Sequence, residues 1–287
     1  MKRIGAVILN YNDYKRAYNL ASILCSFENI SKVVVVDNCS MDDSYNNLIA
    51  MPPLSKMVIL KTEQNGGFAY GNNYGARYLA LNNSDLDYTL FINTDIILSE
   101  SLLKELLKIF EINPKVALVS SRIKGPDGEE QNSCWDFPTF KKICFDNFHF
   151  LKIKQKKIVF SERYQKVDVI RGSLMLFKSN ILREIDYFDE NTFLYGEETI
   201  ICKKIKDIGY IVNVLTDDYY VHNHIEVVKS QKYLRKLKLI QQSRYYYMKK
   251  YFRINIFQKL LLKICDFVGL LEAFFIVLIK SHRKVKS

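Results

Sequence analysis

The sequence has no CxxC pair and no cysteine–histidine spacing that suits zinc. Its six cysteines, Cys25, Cys39, Cys134, Cys144, Cys202 and Cys265, are scattered, which argues for reduced thiols in a cytosolic protein and against a disulfide scaffold. Internal repeats and low-complexity linkers are also missing, so a repeat architecture is excluded. The apolar run that follows Met1-Lys2-Arg3 is interrupted at Asn10. It is too short for a signal peptide, and export is not expected. No recognisable nucleic-acid-binding module is present. The net charge of +11 therefore points to a phosphorylated ligand or an acidic membrane surface, not to nucleic acid.

What is present is a chain of 287 residues, 48% hydrophobic and 25% charged, enough for one large folded domain with an appendage. Strand and helix signals alternate. Ile4 to Leu9 reads as a buried strand, Tyr14 to Phe27 as a helix, and the four valines Val33 to Val36 as a second strand. Val58 to Leu60, Tyr88 to Ile92 and Val116 to Ser120 are further strands, separated by helices near 70–81 and 99–109. Residues 135–166 are irregular, aromatic and basic, and are expected to lie near an acceptor. A strand is predicted over 167–177 with Arg171-Gly172-Ser173 inside it. A helix follows over 197–208, ended by Gly209, and then a last strand at 211–215. This alternation predicts a mostly parallel sheet with helices on both faces.

Each early strand hands over to Asn or Asp at its carboxyl end: Asn10 and Asn12, Asp37, Asn65, and Asn93-Thr94-Asp95. Such residues are common turn formers, yet four strand ends in register predict one lined pocket, since open α/β sheets bind ligands there. Asp37 can accept from a ribose hydroxyl or a base imino group, or serve only as a turn or cap residue. Between Asn65 and Gly75 the chain is rich in small residues, including Gly67 and Asn72, and leads into a helix. Glycines allow close backbone approach, and a helix N-terminus favours a diphosphate; the Lys-Ser/Thr ending of a P-loop is missing. Asp95 can hold a divalent ion, Mn2+ or Mg2+, whose other ligands are donor phosphates, or cap the next helix. Glu197 and Glu198 suit a helix first turn and also a general base that deprotonates an acceptor hydroxyl. One of His222 and His224 can complete a metal site with Asp95, because alternate strand residues point to opposite faces.

Read in order, Val-Ile-Leu-Asn-Tyr-Asn (7–12), Val-Val-Asp-Asn-Cys-Ser (35–40), Asn-Gly-Gly-Phe-Ala-Tyr-Gly-Asn-Asn (65–73), Phe-Ile-Asn-Thr-Asp (91–95) and Phe-Leu-Tyr-Gly-Glu-Glu (193–198) resemble family 2 glycosyltransferases. The likeness is strongest to bacterial rhamnosyltransferase-type enzymes that build surface polysaccharides, and it runs from residue 4 to about 225. It implies a GT-A nucleotide-binding domain over 1–225 and an inverting transfer of rhamnose or a similar hexose from a dTDP- or UDP-linked donor to a lipid-linked or polymeric glycan. Under the resemblance Asn10, Asn12 and Asp37 hold the nucleotide. Asn65, Gly67, Asn72, Asn93, Gly172 and Glu197 line the substrates. Asp95 and His222 hold the metal, and Glu198 is the base, with Glu197 its alternative. The sequence departs from the family in three places: Asn93 replaces a common Asp, Glu198 stands where Asp is usual, and Ile200 replaces an acid. The longer Glu198 side chain changes its reach by about one C–C bond. A nucleotidyltransferase would open with a Gly-rich, Lys/Arg-bearing loop after the first strand, which Asn10-Tyr11-Asn12 is not; a non-catalytic sugar-nucleotide-binding scaffold remains the other alternative.

The segment 226–287 has a different character. Lys229 to Lys250 and Lys280 to Lys286 are strongly basic, and Ile256 to Ile279 repeats apolar residues at three- and four-residue steps. Lys259, Lys263, Asp266 and Glu272 argue against a membrane-crossing helix. An amphipathic helix on an anionic membrane is expected, with packing on the protein or in a homodimer as the alternative. The expected location is the inner face of the cell membrane.

Overall fold

The computed structural model describes residues 2–148, 158–223 and 230–285. Its strands are β1 (Ile4–Asn10), β2 (Ile30–Asp37), β3 (Met57–Lys61), β4 (Tyr88–Asn93), β5 (Ile96–Ile97), β6 (Val116–Lys124), β7 (Glu130–Gln131), β8 (Cys134–Trp135), β9 (Tyr164–Val167), β10 (Val169–Ile170), β11 (Leu174–Lys178) and β12 (Ile211–His222). The helices are α1 (Tyr14–Ser26), α2 (Ser44–Ala50), α3 (Gly67–Asn82), α4 (Glu100–Ile112), α5 (Phe140–Asp146), α6 (Ser179–Glu184), α7 (Glu197–Asp207), α8 (Ser230–Lys250) and α9 (Ile256–Val285). Two compact units emerge. One comprises Met1–Asp136, Ile158–Glu190 and Glu197–His224, the other Phe137–Lys157, Asn191–Gly196 and Ile225–Ser287.

The first unit is built on a sheet of order β3-β2-β1-β4-β11-β6-β12-β5. The first four strands are mutually parallel, and β6 pairs parallel with β12. β11 runs antiparallel to both its neighbours, β4 and β6, so the sheet is mixed and mostly parallel. This reversal brings the beginning of β11 to the edge where β1, β2 and β4 end. The stretch predicted as one strand over 167–177 is divided among the end of β9, β10 and β11. β10 pairs with β8 in a separate two-stranded sheet, and the Gly172-Ser173 turn releases the chain to start β11 in the main one. The expected last strand extends from Ile211 to His222, with a register shift between Leu215 and Tyr219. Within the irregular stretch 135–166 the structure shows α5 and the start of β9; residues 149–157 lie outside the described residues.

Period-two alternation divides β1 and β2 between two helical layers. Ile4, Ala6 and Ile8 of β1 and Val33 and Val35 of β2 join the core packed by α1 and α4. Val7, Leu9 and Val36 point to the other face, where α3 lies against them. Burial on both faces explains why these strands read as unbroken apolar runs.

The approach of α3 depends on glycine. A Cβ on Gly71 would stand 2.3 Å from Leu9 Cδ1, and one on Gly75 would stand 2.7 Å from Val7 Cγ1 and 2.9 Å from Val36 Cγ2. Gly71 and Gly75, one turn apart, thus let the helix backbone rest on the sheet; their space is filled by strand side chains. Gly75→Ala should destabilise the protein by about 1–3 kcal/mol through overpacking, although alanine is the better helix former by up to about 1 kcal/mol. Urea denaturation measures this directly. An unchanged or higher midpoint would show that α3 can retreat from the sheet without loss.

Candidate active site

At the carboxyl edge of the sheet, Asn10 and Asp37 are register partners and both are fully buried. Asn10 Nδ2 donates to Asp37 Oδ2 at 2.7 Å. Ser40 adds two more donors to the same carboxylate, its N–H to Oδ1 at 3.0 Å and its hydroxyl to Oδ2 at 2.7 Å. The Ser40 hydroxyl in turn accepts from the Asn12 N–H at 2.9 Å, and Asn12 Oδ1 accepts from the Met41 N–H at 2.9 Å. Asn12 and Cys39 adopt φ values of 57° and 54°, a left-handed conformation that Asn tolerates and Cys rarely takes. A charged carboxylate without water needs this number of donors. Asp37 therefore locks the β1 and β2 loops together.

The third strand end is joined to the second. Asn38 Nδ2 donates to Asn65 Oδ1 at 3.1 Å and to the Gly67 carbonyl at 3.0 Å, and Asn65 Oδ1 also accepts from the Gly67 N–H at 3.1 Å. Gly67 opens α3 at φ 91°, a conformation that requires glycine. Asn72 is buried, and its Nδ2 donates to the Phe68 carbonyl of its own helix at 3.0 Å. Its neighbour Asn73 does the long-range bonding. It donates to the Phe188 carbonyl (2.9 Å) and Glu190 Oε1 (2.7 Å), and accepts from the Phe188 N–H at 3.0 Å.

Asp13 makes the link to the fourth strand end. Its N–H donates to Asn10 Oδ1 at 3.1 Å, and its Oδ2 accepts from the Thr94 hydroxyl at 2.6 Å. It stands at the N-cap of α1 but makes no side-chain cap bond there. Beyond Thr94, Asp95 Oδ2 lies 3.3 Å from His222 Nε2, with both side chains 12–13% exposed. His222 Nδ1 is 3.3 Å from Gln131 Oε1. A carboxylate and an imidazole side by side are a donor set of the kind that suits a divalent cation. Among the described residues no group of three or more His, Cys, Asp or Glu side chains could hold a metal. His224 lies outside the described residues.

The path ends at the acids. The Asn93 N–H donates to the Ser173 carbonyl at 2.9 Å, and the Ser173 and Tyr220 hydroxyls are 2.7 Å apart. Next to Ser173, a Cβ on Gly172 would meet Glu198 Cγ at 3.0 Å and Oε1 at 3.2 Å. Glu198 therefore lies directly over the Gly172 backbone, partly exposed. Glu197 is 6% exposed, and its Oε2 receives no hydrogen bond. Burial, and secondarily the charge of Glu198, pushes its carboxyl well above the usual range. Asn10, Asn12, Asp37, Asn65, Gly67, Asn93, Asp95, Gly172, Glu198 and His222 thus lie along a connected edge. Sequence reasoning missed Asp13, Ser40, Asn38, Gln131 and Ser173 in it. Ser40, three residues after Asp37, carried a readable Asx-turn signal; the others act through pairings that no local pattern encodes.

Glu197 also sets a pH dependence. An acid whose folded-state pKa is raised holds its proton more tightly in the native state, so its contribution to stability is present in full below the ordinary glutamate pKa and is lost as pH rises through the folded-state value. Glu197→Gln should therefore leave stability near pH 4 unchanged and raise it at pH 8 relative to the parent chain. Denaturation at both pH values tests this; equal stability of the two proteins at pH 8 would contradict it.

A family model for glycosyl transferase family 2 matches residues 6–185. Rhamnosyltransferase WbbL of Escherichia coli (strain K12) is 22% identical over 206 residues, spanning 66% of this chain and 76% of that protein. Among solved structures, mannosyltransferase PcManGT from Pyrobaculum calidifontis in complex with GDP-Man and Mn2+ matches with a TM-score of 0.59 at 15% identity, over 98% of this chain and 75% of that one. S. aureus TarS 1-349 in complex with UDP-GlcNAc matches with a TM-score of 0.56 at 16% identity, over 90% and 69%. At these identities the structural likenesses establish the GT-A fold. The family match covers more than half of the sequence, and the chain belongs to glycosyl transferase family 2: it is a glycosyltransferase.

Proposed function

We propose that the enzyme transfers a hexose, rhamnose or a similar sugar, with inversion from a dTDP- or UDP-linked donor to a hydroxyl of a bacterial surface-polysaccharide precursor. The carrying observation is the continuous run of contacts from Asp37 through Asn10, Asp13 and Thr94 to Asp95, and from Asn93 through Ser173 to Gly172 and Glu198. It supplies the two ends that such a transfer needs, a seat for the nucleotide diphosphate and a base for the acceptor. The similar structures solved in complex with GDP-Man and with UDP-GlcNAc support a sugar nucleotide without naming the one used here. The acceptor is a lipid-linked or polymeric glycan, which places the enzyme peripherally on the inner face of the cell membrane. In this reading residues 1–225 form the transferase domain and 226–287 its attachment segment.

Asn10, Asn12, Asp37, Asn65 and Gly67 shape the loops that receive the nucleotide, Asp37 by bonding those loops to each other. Asn72 supports this wall from within α3, and Asn93 and Gly172 line the sugar. Asp95 and His222 would hold Mn2+ or Mg2+, which when bound neutralises charge on the diphosphate. Glu198 accepts the proton of the acceptor hydroxyl while the oxygen attacks the anomeric carbon opposite the diphosphate. The new C–O bond forms as the bond to the diphosphate breaks, through an oxocarbenium-like state. Glu197 is the less suited to the base role, because burial, and secondarily the charge of Glu198, raises its carboxyl well above the usual range.

Two variants separate these roles. Glu198→Gln should lower transfer by about 10²–10⁴-fold and retain nucleoside diphosphate binding. Asp95→Ala should abolish the manganese-dependent thermal stabilisation by UDP or dTDP that the parent shows. Full donor turnover in Glu198→Gln, or no stabilisation of the parent by any nucleoside diphosphate, would overturn the proposal.

A further inference from the structure

The charge of this chain is concentrated at one end. Residues 226–287 carry 15 Lys and Arg against 3 Asp and Glu, whereas residues 1–225 carry 27 against 28. The whole of the +11 therefore belongs to the segment that contains α8 and α9.

In the second unit α9 has two opposite faces. One is seated on α5 and α8. Leu262 and Ala273 are fully buried and Cys265 is 7% exposed. Gly269 lies so close to α5's end that a Cβ there would meet the Asn147 carbonyl oxygen at 2.5 Å. Asn147 Nδ2 donates to Asp266 Oδ1 at 2.9 Å, and Gln241 Nε2 donates to the Asp266 carbonyl at 2.9 Å. The opposite face is bare and apolar. Of the twenty-three large hydrophobic side chains exposed among the described residues, eleven lie between Ile256 and Leu278. Phe257, Leu260, Ile264, Phe267, Leu271 and Phe275 are 80%, 60%, 51%, 63%, 42% and 59% exposed. At 100° per residue they form one stripe about 27 Å long, with Lys259 and Lys263 along one margin and no acid within it. Scattered exposed apolar residues need no explanation, but a contiguous stripe does.

We propose that this face of α9 docks on an anionic lipid bilayer, the helix lying in the plane of the interface. The apolar stripe enters the acyl boundary, and Lys259, Lys263 and the basic segment around them meet acidic headgroups. No helix among the described residues is long and apolar enough to cross a membrane, which leaves the in-plane orientation for α9. Pairing of the stripe with a second copy would bring together two strongly cationic segments, and like-charge repulsion opposes that. The inference rests on the transfer reading only for its purpose, since a membrane-borne acceptor makes attachment useful; it names the surface that serves that end.

The test is co-sedimentation of the full chain with vesicles of equimolar phosphatidylglycerol and phosphatidylcholine, or of phosphatidylcholine alone. Binding should be at least about tenfold tighter to the anionic vesicles and weaken in high salt. Leu260→Gln/Phe267→Gln should lose roughly tenfold or more of it with an unchanged thermal midpoint, because both positions are exposed. Lys259→Gln/Lys263→Gln should narrow the preference for anionic over neutral vesicles. Failure of the parent to bind, or parent-like binding by Leu260→Gln/Phe267→Gln, would overturn the proposal. So would a parent dimer that this variant splits without any vesicle binding, which would assign the stripe to a second copy. Release of nucleoside diphosphate from the donor, measured without vesicles, should be the same in the parent and both variants. Its loss in every protein alongside intact vesicle binding would count against the transfer reading and not against the docking face.

Discussion

The active edge depends on one reversal of direction. β11 runs against β4 and β6, and the Asn93–Ser173 hydrogen bond fixes where it begins. A parallel β11 would start at the amino edge of the sheet, carrying Gly172 and the Glu198 side chain that rests on it away from Asp95. The antiparallel strand instead delivers a segment some eighty residues downstream of Asn93 to the strand ends where α/β sheets bind ligands. The geometry of the candidate site follows from sheet topology, with side chains added to an edge that backbone pairing has already assembled.

Along that edge buried polar groups bond mainly to each other. Asp37 gathers three donors and Asp13 couples the first loop to the fourth strand end. Such a network is costly if half satisfied and rigid when complete. It holds the exposed backbone of the Asn12 and Ser40 loops in place, which is how a fully buried carboxylate can shape a binding surface. The two acids differ in the same way: Glu197 is withdrawn from water, and Glu198 remains part-exposed above Gly172.

The strands and their order of appearance were legible because both faces of the early sheet are buried, so each strand is a plain apolar run with an abrupt polar end. Asn10, Asp37 and Asp95 stood out for that reason. The 167–177 stretch was read as one strand because Arg171-Gly172-Ser173 interrupts an apolar pattern without ending it; only the competing pairings of β10 and β11 break it. The glycines of α3 were legible as a demand for closeness, but Gly71 and Gly75 turn that closeness toward Leu9, Val7 and Val36. Asp13 was not singled out in the sequence, because its partner Thr94 lies 81 residues away, beyond the reach of any periodicity. The amphipathic pattern of α9 was plain, whereas the choice of which side meets protein was set by Asn147 and Gln241 from other helices.

The most direct measurement is a crystal structure of the full chain with manganese and UDP or dTDP. The diphosphate should lie against Asp95 and His222, the base and ribose beside the Asn12 and Ser40 loops, and Glu198 across the vacant sugar position. A nucleotide bound away from the carboxyl ends of β1, β2 and β4, with Asp95 and Glu198 both remote from its phosphates, would contradict the shared edge on which the enzyme's chemistry is built.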